Sequence, residues 1–290
     1  MGFSFDQYFT SGGAVNWQAV KDLTYEWKFV LTCAALYVAV VKLFNQSRPR
    51  PAARFTKTAA FRYFCFVHNL ALSLYSGWTF LSAVPIIHRQ FWRSDLQPIQ
   101  RICSADQAVF HAGLGRLTYI FYLSKFYEVL DTAIILAKGK RSPLLQTYHH
   151  AGAMITMFAG GKYSATPIWL FVVFNSWVHF WMYLYYASAT LKLPFPRLLK
   201  QSLTTMQITQ FLVGGSSAAA FFFLKPEDAS ECLPNFGARL ATGLCLAYLT
   251  PLTWLFVQFF INEYKRPKTD AKRAVKSAEQ AVNSSLKARK

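Results

Sequence analysis

Residues 166–191 read TPIWLFVVFNSWVHFWMYLYYASATL, a stretch without a single Asp, Glu, Lys or Arg. About 20 mainly apolar residues suffice for a helix to cross a bilayer, so the stretch reads as a membrane span. Six more stretches share its character, near 26–44, 61–87, 113–137, 145–161, 203–224 and 236–262. The composition agrees. Of the 290 residues, 53% are hydrophobic and 17% aromatic, and they fall in long blocks that a soluble domain could not hide. The expected fold is an all-α integral membrane protein with seven transmembrane helices. Residues 1–25 form a lumenal N-terminal segment, 26–262 the membrane domain and 263–290 a basic cytosolic tail. The first 25 residues lack the basic start, apolar run and cleavage site of a signal peptide, and no internal repeat is visible.

The formal charge of +18 is mostly a topology signal. With seven spans, the loops 45–60, 138–144 and 192–200 and the tail share one side. Together with Arg62 at a span edge, they hold 20 of the 31 Lys and Arg residues. The positive-inside bias puts that side, and the C-terminus, in the cytosol. No nucleic-acid partner is needed to explain the charge; it also favours anionic headgroups and phosphorylated substrates. Both N-x-[ST] sequons, at Asn45 and Asn283, fall on this side, so neither is expected to carry glycan. Of five cysteines, only Cys103 and Cys232 lie in expected loops, and both loops face the opposite, oxidising side. A disulfide between them is expected.

Ionisable groups inside a span cost roughly 2.5–3.5 kcal/mol each near its centre, so their spacing carries meaning. Lys125, Glu128 and Asp131 stand three apart and form one stripe down a helix face, followed by Thr132. Gln146 and His149 share a face, while His150 points about 100° away. Asn175, His179, Met182, Tyr183 and Tyr186 follow the helical repeat, and so do Thr204, Gln207 and Gln210. Asn69, with His68 beside it, adds a fainter polar spot. Each group alone is compatible with helix packing, since Gln, Thr and salt-bridged stripes commonly join membrane helices. Four such stripes in consecutive spans imply a polar-lined pocket open to the cytosol.

The residue types narrow the chemistry. A histidine-bound di-iron centre needs around eight histidines, and the chain has six, two of them, His88 and His111, on the lumenal side; no metal is expected. Cys33, Cys65 and Cys245 lie in apolar stretches with no neighbour to make a thiolate. No G-x-S-x-G supports a serine nucleophile. The groups left for acid/base or nucleophilic work are His149, His150 and His179.

The motifs K-x-x-E-x-x-D-T at Lys125–Thr132, Q-x-x-H-H at Gln146–His150, N-x-x-x-H-x-x-M-Y at Asn175–Tyr183 and T-x-x-Q-x-x-Q at Thr204–Gln210 resemble, in order and spacing, those of the ELO family of fatty-acid elongases. The resemblance runs over nearly all of residues 25–265. The family's box is commonly H-x-x-H-H; the variant with Gln in first place, here Gln146, occurs often among elongases of polyunsaturated chains and puts the substrate in question. The resemblance implies a 3-ketoacyl-CoA synthase of the endoplasmic reticulum, with six of seven helices enclosing an acyl-chain tunnel closed toward the lumen. It condenses malonyl-CoA with a fatty acyl-CoA and works beside a separate ketoacyl reductase, dehydratase and enoyl reductase. No cofactor of its own is implied.

In such a site His149 takes the acyl group, His179 is a general base or enolate stabiliser, and His150 orients its neighbour. Gln146, Asn175 and Gln207 donate hydrogen bonds to substrate oxygens; Lys125, Glu128, Asp131, Tyr183 and Gln210 complete the substrate pocket. Lys138, Lys140 and Arg141 meet the phosphates of coenzyme A. Two rival functions share these features. A membrane acyltransferase uses the same histidine and acyl-CoA but another acceptor, and a lipid transporter or flippase also lines its path with polar stripes, usually with an internal repeat. Chain length, unsaturation and oligomeric state, a homodimer included, are left open.

Overall fold

The computed structural model describes residues 17–46, 51–103, 107–225 and 232–265. Residues 1–16 of the N-terminal segment, Arg48, Arg50 and the tail from 266, with Asn283 and most of its basic residues, lie outside them. Among the described residues there is no strand. Ten α-helices follow one another: α1 (Trp17–Thr24), α2 (Trp27–Gln46), α3 (Ala59–Phe91), α4 (Pro98–Cys103), α5 (Gly115–Tyr127), α6 (Val129–Ala137), α7 (Leu144–Lys162), α8 (Ile168–Thr190), α9 (Arg197–Ala220) and α10 (Phe236–Phe260).

All seven stretches read as spans are helical. On length and composition, four are apolar enough to cross a bilayer: Trp27–Asn45, Ala59–Phe91, Ile168–Thr190 and Phe236–Tyr264. The stretches 113–137, 145–161 and 203–224 fall short of that measure, and they carry three of the four polar stripes. The chain is a multi-pass helical membrane protein, its exposed helix faces studded with Leu31, Leu36, Leu74, Leu81, Trp181 and Trp254.

Local chemistry sets the helix ends. Thr58 caps α3 by accepting from Phe61 N–H (3.2 Å), and Asn235 caps α10 by accepting from Ala238 N–H (2.8 Å). Helix α6 stops at Lys138 because Gly139 takes φ 71°, a left-handed conformation that glycine adopts without penalty. The stretch 113–137 is interrupted at Glu128, where the Asp131 N–H turns to the Glu128 carbonyl (3.1 Å), a three-residue step that tightens the helix between α5 and α6.

Helix α3 packs on α8, α8 on α9, α9 on α10, α10 on α7, α7 on α5, and α5 back on α3, a ring of six. Helix α2 lies outside this ring against α6 and α7. At one end of the ring, Asn45 and Ser142 exchange two hydrogen bonds (2.8 and 3.0 Å), Ala53 N–H meets the Ala137 carbonyl (3.0 Å), and Thr204 stands 3.4 Å from Tyr264. The basic loops expected on one side therefore do share an end. At the other end, Trp27 Nε1 donates to Tyr163 (2.9 Å), and a disulfide joins the buried Cys103 and Cys232, whose Cα atoms are 4.6 Å apart. That separation falls within the normal range for a bridge.

Candidate active site

The polar stripes converge inside the ring, toward the end that carries the basic loops. Lys125 Nζ donates to Glu128 Oε1 (2.7 Å) and to Asn175 Oδ1 (3.3 Å), and Ser124 adds a second donor to Glu128 Oε1 (3.2 Å). The other Glu128 oxygen, Oε2, stands 3.9 Å from His179 Nδ1 and accepts no hydrogen bond among the described residues. Both members of the Lys125–Glu128 pair are almost fully buried, which is tolerable only because each neutralises the other.

The expected single stripe of Lys125, Glu128 and Asp131 is instead divided between two partnerships. The tightened turn at Glu128 sends Asp131 away from the pair. Its Oδ1 accepts from His68 Nε2 (2.8 Å) and its Oδ2 from the Tyr183 hydroxyl (2.7 Å). A carboxylate only accepts, so the His68 proton sits on Nε2, and Nδ1 faces the Tyr127 hydroxyl at 3.2 Å. Asn69, the other half of that faint polar spot, only bonds back to the Cys65 carbonyl (2.7 Å).

Gln146 shares a helix face with His149 but is bonded elsewhere. Its amide Nε2 donates to His150 Nε2 (2.8 Å), not to His149, and reaches Thr132 Oγ1 at 3.5 Å. Residues three and four apart are both neighbours on a helix, and the four-residue pairing prevails because Thr132 and the Tyr37 hydroxyl (2.9 Å from Thr132) gather on that side. His150 is thereby turned toward Tyr37, with ring centroids 6.2 Å apart, and its Nδ1 has no partner among the described residues.

His149 faces the other way. It lines a narrow cavity of about 40 Å³, together with Lys125, Asn175, Thr156 and Gln210. Its ring lies 6.0 Å from that of His179, centroid to centroid, and its backbone carbonyl accepts from Tyr248 (3.1 Å). Beyond these polar groups the walls are apolar: Met157 from α7, Phe171 and Phe174 from α8, Phe211 from α9 and Leu252 from α10. The cavity thus joins a polar head, built from His149, Lys125, Asn175 and Gln210, to a greasy interior. Gly152 permits this shape, since a Cβ there would overlap the Tyr248 ring.

Other expected site residues sit apart. Gln207 contacts Met182 Sδ (3.4 Å), and it is Gln210, with an unpartnered buried Oε1, that reaches the cavity. Lys138 and Lys140 are exposed just past α6, with Lys138 Nζ 5.8 Å above the Phe61 ring, and Arg141 is exposed beside them. His68, Tyr37 and Tyr248 complete the arrangement without belonging to any motif. Only His68 had a signal in the sequence, as an ionisable residue in an apolar span. Among the described residues no group of three His, Cys, Asp or Glu side chains is placed to hold a metal.

The GNS1/SUR4 (ELO) family model matches residues 23–272. The chain belongs to the ELO family. Its ELO relatives include fatty acid elongase 2 of Trypanosoma brucei brucei, 30% identical over 207 residues that cover 69% of this chain and 74% of that protein. Fatty acid elongase A of Dictyostelium discoideum is 28% identical over 250 residues, 84% of this chain and 86% of the relative. Fatty acid elongase 2 of Trypanosoma cruzi is 29% identical, covering 74% and 77%. No solved structure matches the chain. As an ELO member with apolar membrane helices, the chain is a membrane enzyme of fatty-acid elongation.

Proposed function

We propose that this elongase is a 3-ketoacyl-CoA synthase that carries its acyl group on His149. The observation behind this is the division of labour in the histidine pair: His149 lines the cavity beside His179, while His150 is turned away and held by Gln146. The His149 imidazole attacks the thioester carbonyl of a long-chain acyl-CoA. The C–S bond breaks, and coenzyme A leaves as the thiol with the imidazole proton. Malonyl-CoA then loses carbon dioxide, and the electron pair left on its α-carbon attacks the acyl carbon. The bond to His149 breaks, the imidazole regains a proton from solvent, and 3-ketoacyl-CoA departs. His179, backed by Glu128, takes and returns protons. Asn175, oriented by Lys125, and Gln210 donate to the developing oxyanion or enolate.

The acyl chain extends from the cavity between its apolar walls, which part to admit it, within a tunnel enclosed by six of seven membrane-spanning helices. Lys138, Lys140 and Arg141 receive the coenzyme A phosphates from the cytosol, where the C-terminus also lies. The Q-x-x-H-H box makes polyunsaturated acyl chains the first substrates to try, beside saturated ones. The endoplasmic reticulum is the location this reading gives, with a ketoacyl reductase, a dehydratase and an enoyl reductase completing each cycle, so no nicotinamide cofactor binds here.

The test uses purified protein, labelled malonyl-CoA and C16–C20 acyl-CoAs, saturated and polyunsaturated, without NADPH. Release of carbon dioxide with formation of 3-ketoacyl-CoA is expected, and acyl-CoA alone should leave an acyl adduct on the peptide containing His149. Transfer of the acyl group to an alcohol or amine would favour an acyltransferase. Movement of unmodified lipid without chemistry would favour a transporter.

A further inference from the structure

A second concavity lies on the outside of the ring, remote from His149, His150 and His179, where the C-terminal end of α3, α4 and the N-terminal end of α8 meet. It measures about 520 Å³, within the roughly 300–1,000 Å³ typical of small-molecule sites. Val84, Ile87 and Val173 give it an apolar lining, to which Trp92, Trp169, Arg101 and His88 add. Helices α3 and α8 are both apolar enough to span a bilayer. The groove therefore starts at hydrocarbon depth and ends where tryptophans mark the headgroup level.

Its charge is one-sided. Between residues 88 and 101 the cations are Arg89, Arg93 and Arg101, and the only carboxylate, Asp95, is occupied by Arg93 at 2.7 Å. Arg101 is fixed by donation from Nε to the Leu96 carbonyl (2.8 Å) and from Nη1 to the Phe91 carbonyl (3.4 Å), and Gln90 Nε2 donates to the Arg101 carbonyl (3.2 Å). Its helix, α4, ends at the Cys103 disulfide. An arginine anchored in this way presents its remaining donors to the groove with little ordering cost on binding, and its planar fork suits a phosphate.

We propose that this groove is a specific site for an anionic phospholipid of the surrounding bilayer, with one acyl chain on the Val84–Ile87–Val173 lining and the phosphate at Arg101. A free phosphate leaves the apolar lining uncovered, and a neutral diacyl lipid brings no counter-charge to Arg101. The site is separate from the cavity at His149.

Native mass spectrometry of the full-length protein, delipidated in detergent and titrated with dioleoylphosphatidylglycerol or dioleoylglycerol, tests this. One phosphatidylglycerol per chain should be retained, about fivefold more tightly than dioleoylglycerol, the factor one arginine contributes at an anionic surface. Val84→Trp, which fills the groove from a lipid-facing position, should abolish retention and leave condensation intact. Arg101→Gln should erase the preference for phosphatidylglycerol. Equal retention of the two lipids, or retention undiminished in Val84→Trp, overturns the proposal. Should Arg101→Gln fail to fold, those two comparisons decide alone.

Discussion

Lys125→Met is the substitution whose cost follows most directly from the structure. Lys125 and Glu128 are 3% and 2% exposed, with 2.7 Å between Nζ and Oε1. Methionine keeps the length of the side chain but strips Glu128 of its counter-charge. What remains near the carboxylate is the Ser124 hydroxyl at 3.2 Å and the His179 ring at 3.9 Å, neither a fixed cation. Breaking a buried pair from one side costs about 3–5 kcal/mol, whereas replacing both members with apolar groups is often neutral. The double variant Lys125→Met with Glu128→Leu should therefore recover most of the loss. It should still fall about 1 kcal/mol short of wild type, because the Lys125 hydrogen bond to Asn175 is gone as well. Unfolding of wild type, Lys125→Met, Glu128→Leu and the double variant in mixed micelles titrated with dodecyl sulfate, followed by circular dichroism, gives the four stabilities that close the double-mutant cycle. Condensation should be lost in all the variants. A single variant within 1 kcal/mol of wild type, or a double variant no more stable than the single, would refute the claim that the pair is a buried, mutually dependent unit.

Three further outcomes are expected. Asn45 should carry no glycan after expression in a eukaryotic host, since both polar atoms of its amide are bonded to Ser142; a glycopeptide containing Asn45 would invert the orientation. Tyr37→Phe should lower turnover several-fold with little change in KM, because it removes the hydroxyl that holds Thr132 beside Gln146 and His150; unchanged turnover would show that the helix outside the ring plays no part in the site. Gly152→Ala should displace the Tyr248 ring and reduce condensation by tenfold or more in a protein that still elutes as a folded species, and steady-state kinetics at saturating acyl-CoA would show wild-type rates if that contact is idle.

Whether a feature could be read from the sequence depended on whether its partners lie on one helix. Lys125 and Glu128 are opposite charges three residues apart, so their pairing is written in their spacing. Asp131 continues the same repeat, yet its partners His68 and Tyr183 come from two other helices, and only tertiary packing brings them in. Gln146 has His149 and His150 at helix-neighbour distances, three and four residues on, and spacing alone does not choose between them. The break at Glu128 was invisible because glutamate is a good helix former. Tyr37 and Tyr248 were hidden for a different reason: an aromatic residue inside an apolar span is what lipid-facing helices also contain. The long apolar helices were plain from composition, but the position of α2 outside the ring was not, since its hydropathy resembles that of the helices within it.

The order of helices around the ring divides the protein in two. Helices α3, α5 and α7 are neighbours on one side, and α8, α9 and α10 on the other, with seams at α3–α8 and α7–α10. The chain passes between the halves once, through residues 163–167. Three polar links cross that division: Lys125 to Asn175, Glu128 toward His179, and Asp131 to Tyr183. Neither half alone encloses the cavity, which is the space between them. The groups proposed for the chemistry thus also form the interface between the two halves, so the same buried charges set how the halves dock.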